Sequence, residues 1–175
     1  MLYWFVVGFS FAITLVLVVG FIGGWLAVEH RISRKTIINR TPDEVWSAIT
    51  DFKGQTKWRP DLRKVEQLRD VNRCPMWRET DRRGQTLTYQ TIDSIPGRRL
   101  VRQIADRNIS FGGSWTYDIE PYGEVTLLTI TEHGEVNNPY FRFISRFIIK
   151  QYHTIDHYLE ALGRHLGDRV TVMDG

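Results

Sequence analysis

The sequence predicts an α+β protein with one membrane-spanning helix at its N-terminal end. Three observations carry that reading. No charged side chain occurs from Met1 to Val28. From Leu62 to Val136, short alternating apolar segments are separated by turn residues, the pattern of an antiparallel meander. From Pro139 to Gly167, apolar residues recur at helical spacing along one broad face.

The first segment is long enough to cross a bilayer, which takes roughly 20 apolar residues at about 1.5 Å rise each. Tyr3 and Trp4 at one end and Trp25 at the other suit the two membrane–water interfaces. A cleaved signal peptide competes with this reading. It would call for a basic n-region and small residues before the cut, whereas no Lys or Arg precedes the span and Trp25 is bulky. Arg31, Arg34, Lys35 and Arg40 all follow the span, so the positive-inside rule places the remainder in the cytoplasm. Residues 1–29 are therefore expected to form a single-pass anchor that meets the membrane through residues 2–28, and residues 30–175 one domain. Gly20 and Gly24 have the spacing that lets two membrane helices approach closely, and weak dimerisation is weighed there against the plain abundance of glycine in such helices.

The chain has 175 residues and a formal net charge of +3, too mild and too scattered for a nucleic-acid surface. One cysteine, Cys74, excludes an internal disulfide and a multi-thiolate metal site. No phosphate loop, dinucleotide fingerprint or nucleophile triad is legible, so neither cofactor nor metal is expected and catalytic residues cannot be named.

After the anchor, Ile37 and Ile38 mark a strand over about 33–39, with the basic run Arg31–Lys35 either a tether or the start of that strand. Thr41-Pro-Asp-Glu44 starts a helix: Thr41 caps, Pro42 suits the first position and Glu44 closes a capping box. Val45, Trp46, Ile49 and Phe52 continue it, Gly54 ends it, and a short turn or second helix leads to Trp58. Six strands are expected over 64–68, 76–80, 86–92, 99–105, 114–120 and 125–135. The last helix carries Tyr140, Ile144, Phe147, Ile148, Ile155, Leu159 and Leu162 on one face, with Arg142, Arg146, Lys150, His153, His157 and Arg164 opposite. So wide an apolar face needs a concave partner, and the inner face of a curved sheet is the one candidate large enough.

This order of elements resembles the START-like, or helix-grip, superfamily, which includes polyketide cyclases/dehydrases and lipid-transport proteins. The resemblance runs from about Ser33 to Gly167. It rests on Thr41-Pro-Asp-Glu-Val-Trp46, Trp58-Arg-Pro-Asp-Leu62, Pro96-Gly-Arg-Arg-Leu-Val101, Gly113-Ser-Trp-Thr-Tyr-Asp-Ile-Glu-Pro121, Thr129-Ile-Thr-Glu132 and the terminal helix. It implies a seven-stranded curved antiparallel sheet wrapped around the long C-terminal helix, with a cavity between them for an apolar ligand. The membrane anchor lies outside the usual family domain.

The cavity candidates follow from strand alternation and from the helix face. Trp115 and Tyr117 share one strand face, and Trp77 shares a face with Glu79; with Tyr89 and the helix residues Ile144, Phe147 and Ile148 they would line a pocket. The competing reading makes them plain core. Arg102 alternates with Leu100 and Ile104, and Glu132 with Leu128 and Ile130. If those faces point inward, both are buried charges, which are costly unless paired. His153 and His157 have metal-ligand spacing but lie opposite the apolar face, where a solvated surface is the better reading. The leading functional expectation is membrane-anchored binding, or transfer, of a hydrophobic small molecule such as a lipid, isoprenoid quinone or polyketide-like compound. The alternatives are a cyclase/dehydrase-type enzyme, which requires polar groups to converge inside the cavity, and a ligand-free interaction module with a filled core.

Overall fold

The computed structural model describes residues 2–107, 109–147 and 153–175. Helix α1 (Leu2–Trp25) is followed, after residues 26–28 alone, by strand β1 (Glu29–Ile38). The basic run Arg31–Lys35 is thus strand, not tether. Helix α2 (Pro42–Thr50) and a 3-10 turn (Gly54–Lys57) come next, then β2 (Leu62–Val71), β3 (Cys74–Asp81), β4 (Thr86–Ile95), β5 (Arg99–Ile104), β6 (Phe111–Tyr122) and β7 (Val125–Val136). Helices α3 (Pro139–Phe147) and α4 (His153–His165) precede a short β8 (Met173–Asp174).

The sheet is curved and antiparallel throughout, in the order β2-β3-β4-β5-β6-β7-β1-β8. Consecutive strands pair as a meander, and β1 closes the far side against β7 over Glu29↔Glu135 to Ile38↔Thr126. Eight strands stand where seven are expected. After Gly167, which takes the left-handed conformation (φ +74°) that ends a helix, the chain returns along the free edge of β1. The other strands start or end a few residues from their expected bounds, since turn chemistry locates a hairpin better than it fixes where pairing stops.

Helix α2 begins as its capping box requires. The Thr41 hydroxyl accepts from the Glu44 amide at 3.4 Å, and the Glu44 carboxylate accepts from the Thr41 amide at 2.8 Å. The helix ends at Thr50, before Gly54, because Asp51 turns the chain and its carboxylate accepts from the Gly54 amide at 3.0 Å. Val45 and Ile49 of α2, Ile155, Leu159 and Leu162 of α4, and Leu100, Ile119, Leu128 and Ile130 of the sheet form one core. Arg34 of β1 pins α4 from outside: its guanidinium donates to both Asp156 oxygens, at 2.7 and 3.2 Å.

The C-terminal helix differs from expectation. The described residues form two helices with different partners. Helix α4 packs into the concave sheet, whereas α3 packs mainly against the end of α1. Residues 148–152, which include Ile148 and Lys150, lie outside the described residues. Of the glycines in α1, Gly20 meets the Tyr140 ring, where a Cβ would sit 2.8 Å from the phenol oxygen, and a Cβ on Gly23 would collide with the Pro139 carbonyl. Gly24 faces open space. The close approach that the Gly20/Gly24 spacing suggests is therefore used at Gly20 and Gly23 by a helix of the same chain.

Candidate functional site

Between the concave sheet and α4 lies a cavity of about 520 Å³. Its walls are largely apolar and aromatic: Tyr89, Trp115, Tyr117 and Ile130 from the sheet, Ile155 and Tyr158 from α4. His153, Thr154 and His157 border it at the exposed end of α4. The two histidines are solvent-exposed, as expected of their face, yet they stand at the cavity mouth. Both lie on α4 beside Ile155 and Tyr158, which face the cavity.

The floor is ionic. Arg102, only 4% exposed, donates through Nη1 to Glu79 Oε1 at 2.7 Å. Arg59 donates to the other Glu79 oxygen at 3.1 Å and to Asp61 at 2.6 Å. Strand alternation explains the convergence. Glu79 sits two residues from Trp77 on β3, and Arg102 lies between Leu100 and Ile104 on β5, so both side chains point to the concave face. Arg59 comes from the loop after the 3-10 turn and is braced by Gln55, whose amide donates to the Ile49 carbonyl at 2.8 Å. The Arg102 guanidinium lies between two rings, 4.3 Å from the Phe52 centroid and 4.6 Å from that of Tyr89.

Two features of this floor bear on chemistry. The interior holds two arginines and one buried carboxylate, because Asp61 is largely exposed. In addition, Arg102 Nε and Nη2 are buried without a hydrogen-bond partner among the described residues. An unmade hydrogen bond to a buried charged donor costs about 1–3 kcal/mol or more, so these atoms suit an acceptor oxygen carried by a ligand. Burial opposes the charge of Arg59, but Glu79 and Asp61 more than offset it and raise its pKa. Burial pushes the phenols of Tyr89, Tyr117 and Tyr158 up, so all three stay protonated at neutral pH and can donate.

The expected site residues divide accordingly. Tyr89, Arg102, Trp115 and Tyr117 line the cavity together. Glu132 is on the concave face as its alternation implies, but its partners are Trp115 Nε1, which donates to it at 3.1 Å, and His30 at 3.4 Å. It therefore fixes the Trp115 ring and is not part of the ionic floor. Trp77 lies behind the floor, its ring 4.9 Å from that of Phe52. Ile144 and Phe147 are on α3, at 37% and 62% exposure, outside the lining, because α3 follows α1 instead of the sheet. Ile148 lies outside the described residues. The residues that sequence reasoning missed are Arg59 and Tyr158. Glu79 was placed on the Trp77 face of its strand, but its pairing with two arginines was not foreseen.

The polyketide cyclase/dehydrase and lipid transport family model matches residues 29–162. The chain belongs to that family. The match begins at Glu29, the first residue of β1, and does not include α1. Among solved structures, the chain is similar to the Zhui aromatase/cyclase from Streptomyces sp. R1128, at 16% identity and TM-score 0.65, covering 79% of this chain and 94% of that one. It is similar to a START superfamily protein from Mycobacterium smegmatis at 20% identity and TM-score 0.61, covering 79% and 97%. The di-domain aromatase/cyclase StfQ of the steffimycin biosynthetic pathway aligns at 10% identity and TM-score 0.64 over 80% of this chain, which spans about half (52%) of that protein. Likeness at these identities establishes the helix-grip fold. No curated protein matches the chain by sequence.

Proposed function

We propose that the protein is a membrane-anchored binding module that carries a hydrophobic small molecule between sheet and helix. The observation that carries this reading is the apolar cavity with a charged floor. Aromatic walls favour a ligand body without hydrogen-bonding capacity, and the free donors of Arg102 favour one terminal oxygen acceptor such as a carbonyl, carboxylate or phenolate. The ligand is thus amphipathic, with its oxygen end inward. Helix α1 is long and apolar enough over Val6–Trp25 to cross a membrane, which would hold the cavity beside a source of such molecules.

Native mass spectrometry of the purified chain, with organic extraction of what it retains, tests the proposal. One apolar species near one-to-one stoichiometry supports it. A protein that is empty and takes up neither fatty-acid nor quinone probes overturns it. A second reading, a cyclase/dehydrase-type enzyme, is favoured by the convergence of Arg102, Glu79, Tyr117 and Tyr158 on one cavity, since acid–base work requires such groups. Recovery of an extracted or supplied keto compound in altered form would select it over simple carriage. The cavity itself argues against a module with a filled core.

A further inference from the structure

Helix α3 shows an apolar stripe that, beyond the Tyr140 contact with Gly20, stays more than a third exposed among the described residues. Tyr140, Ile144 and Phe147 recur at i, i+4 and i+7 and are 41%, 37% and 62% exposed. Phe143 stacks on Phe147 with centroids 4.9 Å apart. Arg142 and Arg146 occupy a different stripe. Arg142 Nη1 donates to the Leu26 carbonyl at 2.7 Å, capping an orphan acceptor just past the end of α1, and Arg146 is exposed at the same junction.

The position of α3 along α1 decides what covers this stripe. Tyr140 touches α1 at Gly20 and Pro139 touches it at Gly23. At about 1.5 Å per residue these contacts lie about 7.5 Å and about 3 Å before Trp25, back along the apolar helix. Trp25 is 82% exposed and suits the interface, so the start of α3 is held at the depth where interfacial helices bury their apolar faces, about 5–10 Å. Helix α1 itself presents a bare apolar surface, with Leu17 and Phe21 64% and 68% exposed. A water-facing helix would have no use for glycine contacts that draw its aromatic end down along a membrane span.

We propose that α3 is a second membrane element: an interfacial helix, clamped to the anchor through Gly20 and Gly23, whose Tyr140–Ile144–Phe147 stripe lies in the headgroup–acyl boundary of the bilayer. The proposal rests on the reading of α1 as a membrane span. It fixes the orientation of the domain as well, because one helix alone is a swivel whereas α1 with α3 makes two attachments.

Site-directed probes in the full chain test this. In a Cys74→Ser background, single cysteines at Leu15→Cys, Phe147→Cys and Tyr122→Cys are labelled with an environment-sensitive fluorophore and the protein is reconstituted in phosphatidylcholine/phosphatidylglycerol vesicles. Tyr122 ends β6 at the turn into β7, and β7 carries the hairpin roughly 35 Å away from the membrane end. The expected pattern is deep nitroxide-lipid quenching at 15, shallow nitroxide-lipid quenching at 147 and none at 122. Quenching at 15 without quenching at 147 overturns the interfacial role of α3 and leaves the anchor standing. Absence of quenching at both overturns the anchor reading and this proposal with it. A blue-shifted probe at 147 that no lipid quencher reaches means that protein covers the stripe, and also overturns the proposal.

Discussion

Helices α3 and α4 have the same kind of sequence and opposite fates. Both carry aromatic and aliphatic residues at i, i+3 and i+4, and both carry arginine and polar groups on the other side. In α4 the apolar face is enclosed: Ile155, Leu159 and Leu162 are 0–2% exposed against the sheet. In α3 the corresponding residues are more than a third exposed, beside a helix long and apolar enough to cross a membrane. Periodicity reports which face avoids water. It does not report whether protein or lipid provides the shelter, since an apolar stripe satisfies either.

The largest effect expected from a single change lies in the half that holds the cavity. Glu79→Gln removes the buried carboxylate that, among the described residues, joins Arg59 to Arg102, and leaves two guanidinium groups facing each other inside the protein. Breaking a buried ion pair in this way costs about 3–5 kcal/mol. Urea unfolding should show that loss, and a ligand bearing a carboxylate should restore part of it by supplying the missing charge. An unchanged midpoint would mean that the floor is solvated and not part of a closed cavity.

The next effect compares the two helices directly. Leu159→Ala in α4 leaves a void in a fully enclosed core and should cost about 2–5 kcal/mol. Phe147→Ala in α3 removes a larger side chain, yet in detergent it should cost about 0.5 kcal/mol or less, because little protein contact is lost. Equal losses from the two changes would show that protein covers α3 as fully as α4 and would dissolve the contrast between them.

The fold was legible because the signals that specify it are local. The Thr41–Glu44 capping box, the turn residues between strands and the strand alternation each act within a few residues, and each appears where the sequence places it. Alternation put Arg102 on the face of Leu100 and Ile104 but left open whether that face points inward, which it does. Its partner was not legible. Arg102 and Glu79 are 23 residues apart and meet only because β3, β4 and β5 lie side by side. Glu132, which pairs in register with Trp115 across β6 and β7, was equally plausible by alternation and is held instead by that neighbour's indole. The different partners of α3 and α4 were hidden by an amphipathic pattern that is the same in both. Nothing in residues 139–147 names Gly20 and Gly23 as their partner, because small residues invite close approach without saying by whom.

The smallest effect at neutral pH becomes visible only in alkali, and it separates the cavity from the rest of the molecule. Tyr89, Tyr117 and Tyr158 have folded-state pKa values raised above the ordinary 10, chiefly by burial. Below pH 10 the phenols are protonated in both folded and unfolded chains, so stability does not depend on them. Above it the unfolded chain loses these protons while the folded chain keeps them, so the unfolded state binds fewer protons and stability falls with rising pH. Phenolate absorbance should therefore rise in two stages, with the buried phenols ionising only as the circular dichroism of the sheet is lost. Tyr117→Phe should shallow that alkaline limb, because one such phenol is gone, and Phe147→Ala should leave it unchanged. Early ionisation of all seven tyrosines, with the sheet intact, would mean that water enters the cavity freely and that its walls do not exclude solvent from the arginine floor.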